Sequence, residues 1–219
     1  MRLQRGDDIF PARISAPSIE TRGLREALPP KTECVAIVGS RAATEYGLRV
    51  TRTLTREFVN AGLTVVSGGA LGIDINAHAA AMVEGGNTIV VLPSGVHNPQ
   101  PRTNMDIFSE VLGASGDSAA PRGWLVSQFE AEAVPTRERY FARNLTIAEL
   151  SGAVVVIEAG IRSGSMNTVS QAYGAGIPVF AVPGPVTSAQ SVGCHEAIRK
   201  GFARICVDAT DVINTVKGV

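Results

Sequence analysis

The stretch V-A-I-V-G-S-R-A-A-T-E-Y-G, Val35 to Gly47, passes from an unbroken apolar run through a Gly-Ser-Arg step into a helical pattern. An apolar run without polar alternation marks a strand covered on both faces, the habit of parallel sheets. In such sheets ligands gather beyond the carboxyl ends of the strands. Gly39-Ser40-Arg41 stands at such an end. It reads either as a tight turn that happens to contain an arginine or as a turn that aims Arg41 at a phosphate.

The alternation continues outward from this stretch. Strand patterns fall at 34–38, 64–67, 88–92, 124–127, 153–158, 178–182 and 203–207. Helical patterns fall between them, at 44–60, 74–84, 105–112, 137–150, 165–173 and 195–200, with a last one at 208–216. Runs such as I-V-V-L and V-V-V-I-E-A repeat the buried-strand signature of the opening. The expected fold is α/β: a doubly wound, mainly parallel sheet, extended Rossmann-like, in a single domain over 32–219. Residues 1–31 show little periodicity and read as an extended arm or small cap. The stretch 115–120 reads as a flexible insertion.

Composition narrows the classes. With 45% apolar and 18% charged residues the chain is globular, and its formal net charge of zero advertises no nucleic acid globally. Binding of that kind must rest on a local patch. Lys31, Lys200 and Lys217 are the only lysines, so nearly all positive charge is arginine, which suits bidentate phosphate contact. The three cysteines form no C-x-x-C or Cys/His spacing, and no metal and no cofactor are expected. Cys34 and Cys206 lie in apolar runs and read as buried. Cys194 falls in a polar loop beside His195, where an exposed thiol is one reading. Residues 1–10 lack the apolar core of a leader and no apolar run reaches membrane-spanning length, so the cytoplasm is the expected compartment.

Three loops leave strand ends and open helices. They are Gly39-Ser40-Arg41, the S-G-G-A-L-G-I-D loop containing Ser67, Gly68, Gly69, Gly72 and Asp74, and Arg162 to Asn167 with Ser163, Gly164 and Ser165. One glycine loop alone means no more than a tight turn. Three on one sheet edge, two with arginine, read as an anion-binding crevice. No G-x-G-x-x-G follows the first strand and no Gly-Lys-Ser/Thr occurs, so neither a dinucleotide nor a Walker-type site is indicated. Asp74 and His78 lie four apart and are either an acid/imidazole pair or a helix-start acid with a partly buried neighbour. Glu158 closes a buried strand and either orients crevice side chains or is a solvated strand end. The segment R-E-R-Y-F-A-R-N, 137–144, interleaves arginine with aromatics, as single-strand binding requires. On a helix Arg139 and Arg143 share a face with Tyr140 beside them; the alternative is an amphipathic helix with Phe141 in the core.

Taken together, the motifs resemble the bacterial DNA-processing protein A family, also called DprA or Smf. The matching elements are V-A-I-V-G-S-R at 35–41, V-V-S-G-G-A-L-G-I-D at 65–74 with His78, and P-x-x-N at 101–104. Phe141-x-Arg143-Asn144 with Ser151, V-V-V-I-E-A at 154–159, S-G-S-M-N-T at 163–168 and V-F-A-V-P-G at 179–184 continue it. The resemblance implies a non-enzymatic single-stranded-DNA-binding protein that dimerises and loads a RecA-type recombinase in recombination or transformation. By carry-over, Gly39, Ser40 and Arg41 contact the DNA backbone, and the 67–74 loop, Arg143, Asn144 and Ser163-Gly164-Ser165 complete the pocket. There are departures. Leu145 stands where the family has a second arginine, which implies weaker or altered binding. Gln128 replaces an acid and His195 an asparagine. Two other functions fit the fold: a sensor of a small nucleotide-derived ligand, and a lysine-decarboxylase-like nucleotide hydrolase, whose P-G-G-x-G-T loop is missing here.

Overall fold

The structure is a computed structural model that describes residues 19–24, 27–113 and 122–219. The insertion expected at 115–120 lies outside the described residues, as does most of the leading segment. In chain order the elements are β1 (Glu20–Gly23), β2 (Cys34–Val38), α1 (Glu45–Asn60), β3 (Thr64–Ser67) and α2 (Ile73–Val83). There follow β4 (Thr88–Val91), α3 (Met105–Val111), β5 (Gly123–Ser127), α4 (Arg137–Glu149) and β6 (Ala153–Val156). The chain ends with α5 (Gly164–Gly174), β7 (Val179–Ala181), α6 (Val192–Arg199), β8 (Arg204–Ile205) and α7 (Thr210–Lys217).

The strands form one sheet in the order β1-β5-β4-β3-β2-β6-β7-β8. Every pairing is parallel except β1 on β5. The α/β doubly wound fold is therefore as the buried apolar runs indicate. Strand β2 lies at the centre, paired with β3 through Val35↔Val65 and with β6 through Val35↔Ala153. Connections run to one side of β2 first and to the other side afterwards, so the switch point lies between the ends of β2 and β6.

Alternation along β2 divides the core. Cys34, Ala36 and Val38 face a layer with Ile147 and Ala148 of α4, Val169 and Ala172 of α5 and Ala197 of α6. Val35 and Ile37 face Leu54 and Phe58 of α1, Ile73 and Ala77 of α2 and Val212 of α7. A smaller cluster joins Phe108 and Val111 of α3 to Val90 and Leu125. Helix α6 begins at Val192, so Cys194 is not in a loop: it is fully buried, and burial pushes its thiol up to about 12. The exposed-thiol reading is thereby corrected. Cys34 and Cys206 are buried as expected. No described helix is long and apolar enough to cross a membrane.

Candidate nucleic-acid interface

The three loops meet at the switch point, and hydrogen bonds tie the other two directly to the loop after β2. Ser165 Oγ donates to the Gly39 carbonyl at 2.7 Å, tying the loop after β6 to the loop after β2. Ile73 N donates to the Ser40 carbonyl at 3.1 Å, tying in the start of α2. Gly39 has no space for a Cβ because the Ile73 side chain fills it, and a Cβ on Gly72 (φ 79°) would strike the Ser40 carbonyl. These glycines hold the loops against each other. Tight turning by glycine, the reading of any one loop alone, is thus part of the arrangement here.

A crevice of about 940 Å³ opens over this junction. Arg41, Arg137, Arg143 and Arg162 line it, with Asp74 as the one acid among the lining residues. Gly39, Ser40, Asn144, Ser163, Gly164 and Ser165 line it too. Gly68 lines an adjoining recess of about 80 Å³ that shares Arg41, Tyr140 and Arg143 with the crevice. The remaining expected residues stand elsewhere. Ser67 is buried and its Oγ donates to the Ile37 carbonyl at 2.6 Å, so it braces β3 on β2. Gly69 backs onto Phe108 and Val90, and its carbonyl accepts from Asn104 Nδ2 at 2.8 Å.

Helix α4 forms the crevice wall. Thr136 caps it by accepting from Arg139 N at 3.3 Å, which starts the helix beside the loops. The wall presents Arg137, Tyr140, Phe141, Arg143 and Asn144. Arg139 points away, donating to the Val134 carbonyl at 2.6 Å with its guanidinium 5.0 Å from the Phe129 ring centre. Arg139 and Arg143 therefore do not share the working face. Phe141 is not in the core either: it is 43% exposed, with Arg137 over its ring. The guanidinium groups of Arg41 and Arg143 lie over the Tyr140 ring, 5.8 and 5.7 Å from its centre. Tyr140, Arg137 and Arg162 join the crevice beyond the residues expected from the sequence. The repeat of 137, 140/141 and 144 along one helix face was the signal for the first two.

Beneath the crevice lies a buried charged cluster. Arg143 is 4% exposed, and its Nη1 stands 4.0 Å from Asp74 Oδ2. Burial pushes the Asp74 carboxyl above its usual range, against the pull of Arg143 and of the Gly39 N–H, which donates to it at 3.3 Å. Nε and Nη1 of Arg143 are buried and have no hydrogen-bond partner among the described residues, so the cation is incompletely satisfied beneath the crevice that the residue lines. Asp74 and His78 do not form an acid/imidazole pair. The Thr88 hydroxyl donates to the Val65 carbonyl at 2.8 Å, so the His78 Nδ1 that lies 2.7 Å from it must carry the proton. His78 is fully buried, and desolvation, with Arg143 nearby, pushes its imidazole down to about 3.

Glu158 fits neither of its two sequence readings. It is buried, and it accepts from Thr44 N at 2.9 Å and from Thr44 Oγ1 at 2.6 Å. Thr44 in turn caps α1 by accepting from Gly47 N at 3.2 Å. A Cβ on Gly47 would overlap the Glu158 carboxylate, so the glycine admits the acid to the helix start. Glu158 thus fixes the far end of the loop that carries Arg41. His195, in the position of a family asparagine, bonds the Gly184 carbonyl through Nε2 at 3.0 Å.

Residues 17–217 match the family model for DNA recombination-mediator protein A. The chain belongs to this family. A Mycobacterium tuberculosis DNA processing protein DprA is 40% identical over 181 residues, covering 83% of this chain and 44% of that protein. Among solved structures, DNA processing protein A from Helicobacter pylori superposes with a TM-score of 0.81 at 29% identity, covering 99% of this chain and 93% of that one. That protein is described for its single-stranded DNA binding mode. The Streptococcus pneumoniae DprA structure gives a TM-score of 0.80 at 33% identity, with 94% and 71% covered. The chain spans less than half the length of the first of these relatives.

Proposed function

We propose that the crevice binds single-stranded DNA and that the chain acts as a recombination mediator rather than as an enzyme. The observation that carries this is four arginines converging with one buried acid on the switch-point crevice of a chain whose net charge is zero. Positive charge is concentrated where an anionic backbone would lie. The aromatic Tyr140 and Phe141 stand beside it, so unpaired bases can stack where a duplex would keep them inside. Arg41 is the leading phosphate ligand: it is exposed, and no acid pairs with it among the described residues. Leu145 adds no charge, so the backbone contact rests on fewer cations than in relatives with a second arginine. Dimerisation, loading of a RecA-type recombinase and a cytoplasmic location belong to the same reading, by membership of the family.

The test is binding of a labelled oligothymidine across a salt series to the wild type and Arg41→Ala. Log affinity should fall linearly with log salt, and the slope should lessen by about one for the variant. Absence of single-strand binding at low salt would overturn the reading.

A further inference from the structure

We propose that Asn144 reads the donor edge of a DNA base through its carbonyl oxygen and does not bind phosphate. The inference rests on the single-strand reading above and assigns one residue of that site a different ligand group from its neighbours. A chain of amides fixes the orientation. Gln171 Nε2 donates to the Phe141 carbonyl at 2.9 Å and to Asn167 Oδ1 at 2.5 Å. Asn144 Nδ2 donates to that same Oδ1 at 3.0 Å and to the Gly164 carbonyl at 3.4 Å.

Both ends of this chain are backbone carbonyls, which can only accept. The Phe141 carbonyl obliges Gln171 to present its NH2 group, and the Gly164 carbonyl obliges Asn144 to do the same. Asn167 between them must present oxygen to both. A flipped Asn144 would set its oxygen against the Gly164 carbonyl and lose both bonds. With its two amide protons engaged on the first turn of α5, Asn144 has only Oδ1 to offer the crevice that it lines. Oδ1 accepts no hydrogen bond from the described residues.

A lone acceptor repels a phosphate oxygen and attracts an N–H. Each of the four bases carries at least one N–H on its pairing edge, exposed only when the strand is single. Such a contact favours unpaired bases without selecting among them. Gln171 is a positioning residue, acting on the crevice through Asn167.

The experiment compares an oligothymidine with the same strand built from N3-methylthymine, in which the ring N–H is removed and the phosphates are kept. Wild type should bind the methylated strand about 5- to 10-fold more weakly, the weight of one hydrogen bond. Asn144→Ala and Gln171→Glu should bind the unmodified strand more weakly by a similar factor and lose most of the discrimination. Their salt slopes should match wild type, because no phosphate contact is lost. Equal affinity of wild type for the two strands, or a shallower salt slope in Asn144→Ala, would overturn the assignment while leaving single-strand binding standing. Failure of the wild type to bind either strand at low salt would overturn both. Thermal melting of Gln171→Glu and Asn144→Ala checks that they are folded, and discrimination retained in a folded variant counts against the proposal.

Discussion

Gly68 shows how the second loop seats the buried arginine beneath the crevice. A Cβ there would overlap Arg143 Nη1 and press on Asp74 Oδ2, so the missing side chain is what lets the guanidinium lie against the loop backbone. Gly68→Ala should displace Arg143 and lower single-strand affinity by about tenfold, within the range that loss of a charge-assisted contact carries. Fluorescence anisotropy would read this directly, and an unchanged affinity would mean that Arg143 does not contact DNA. Arg143→Ala is a different matter. It removes the cation beside a buried carboxylate and should cost about 3 kcal/mol in urea unfolding. Adding Asp74→Asn should restore part of that loss, since the orphaned charge is then gone. Strict additivity of the two substitutions would show that the pair is uncoupled in the folded state.

At the scale of elements, the start of α1 is held by a two-step clamp, Glu158 on Thr44 and Thr44 on Gly47. Thr44→Val keeps the shape but removes both hydroxyl bonds, and should cost about 1–2 kcal/mol, the upper range for a lost cap. Guanidinium titration followed by circular dichroism would measure it; a cost near zero would deny the clamp a structural role. The helices and strands themselves were legible, because buried parallel strands write continuous apolar runs. Strand β1, E-T-R-G, was not: its side chains are largely exposed and only backbone pairing to β5 defines it. Periodicity gave α4 a polar face but not its rotation, which is set by where the 128–136 loop delivers it. Hence Arg139 was placed in the site and Arg137 was not. Glu158 was opaque for a related reason, since its partner Thr44 lies 114 residues away in sequence. Local pattern carries no trace of such a contact. The three loops were legible as one site because the doubly wound topology obliges strand ends to share an edge.

For the molecule as a whole, the buried imidazole of His78 makes stability depend on acidity. Its folded pKa lies at about 3 against 6.5 for the free side chain. Below 6.5 the unfolded chain takes up a proton that the folded chain refuses, so stability falls as pH falls from 6.5 towards about 3. The limiting slope is about 1.4 kcal/mol per pH unit. Asp74 acts in the opposite sense: its raised folded pKa lets the native state bind a proton first, returning stability as pH falls through that folded value towards 3.8. The two are told apart by difference, because a variant without the His78 imidazole keeps Asp74. From about pH 7 down to about pH 5 the His78 contribution is a loss of about 2 kcal/mol, measured by urea unfolding of wild type against a variant without the imidazole. His78→Gln, which can still donate to Thr88 but cannot take up a proton, should flatten most of that slope. Equal midpoint shifts in wild type and His78→Gln over this range would mean that His78 is protonated in the folded state. Its Nε2 would then need an acceptor that none of the described residues supplies.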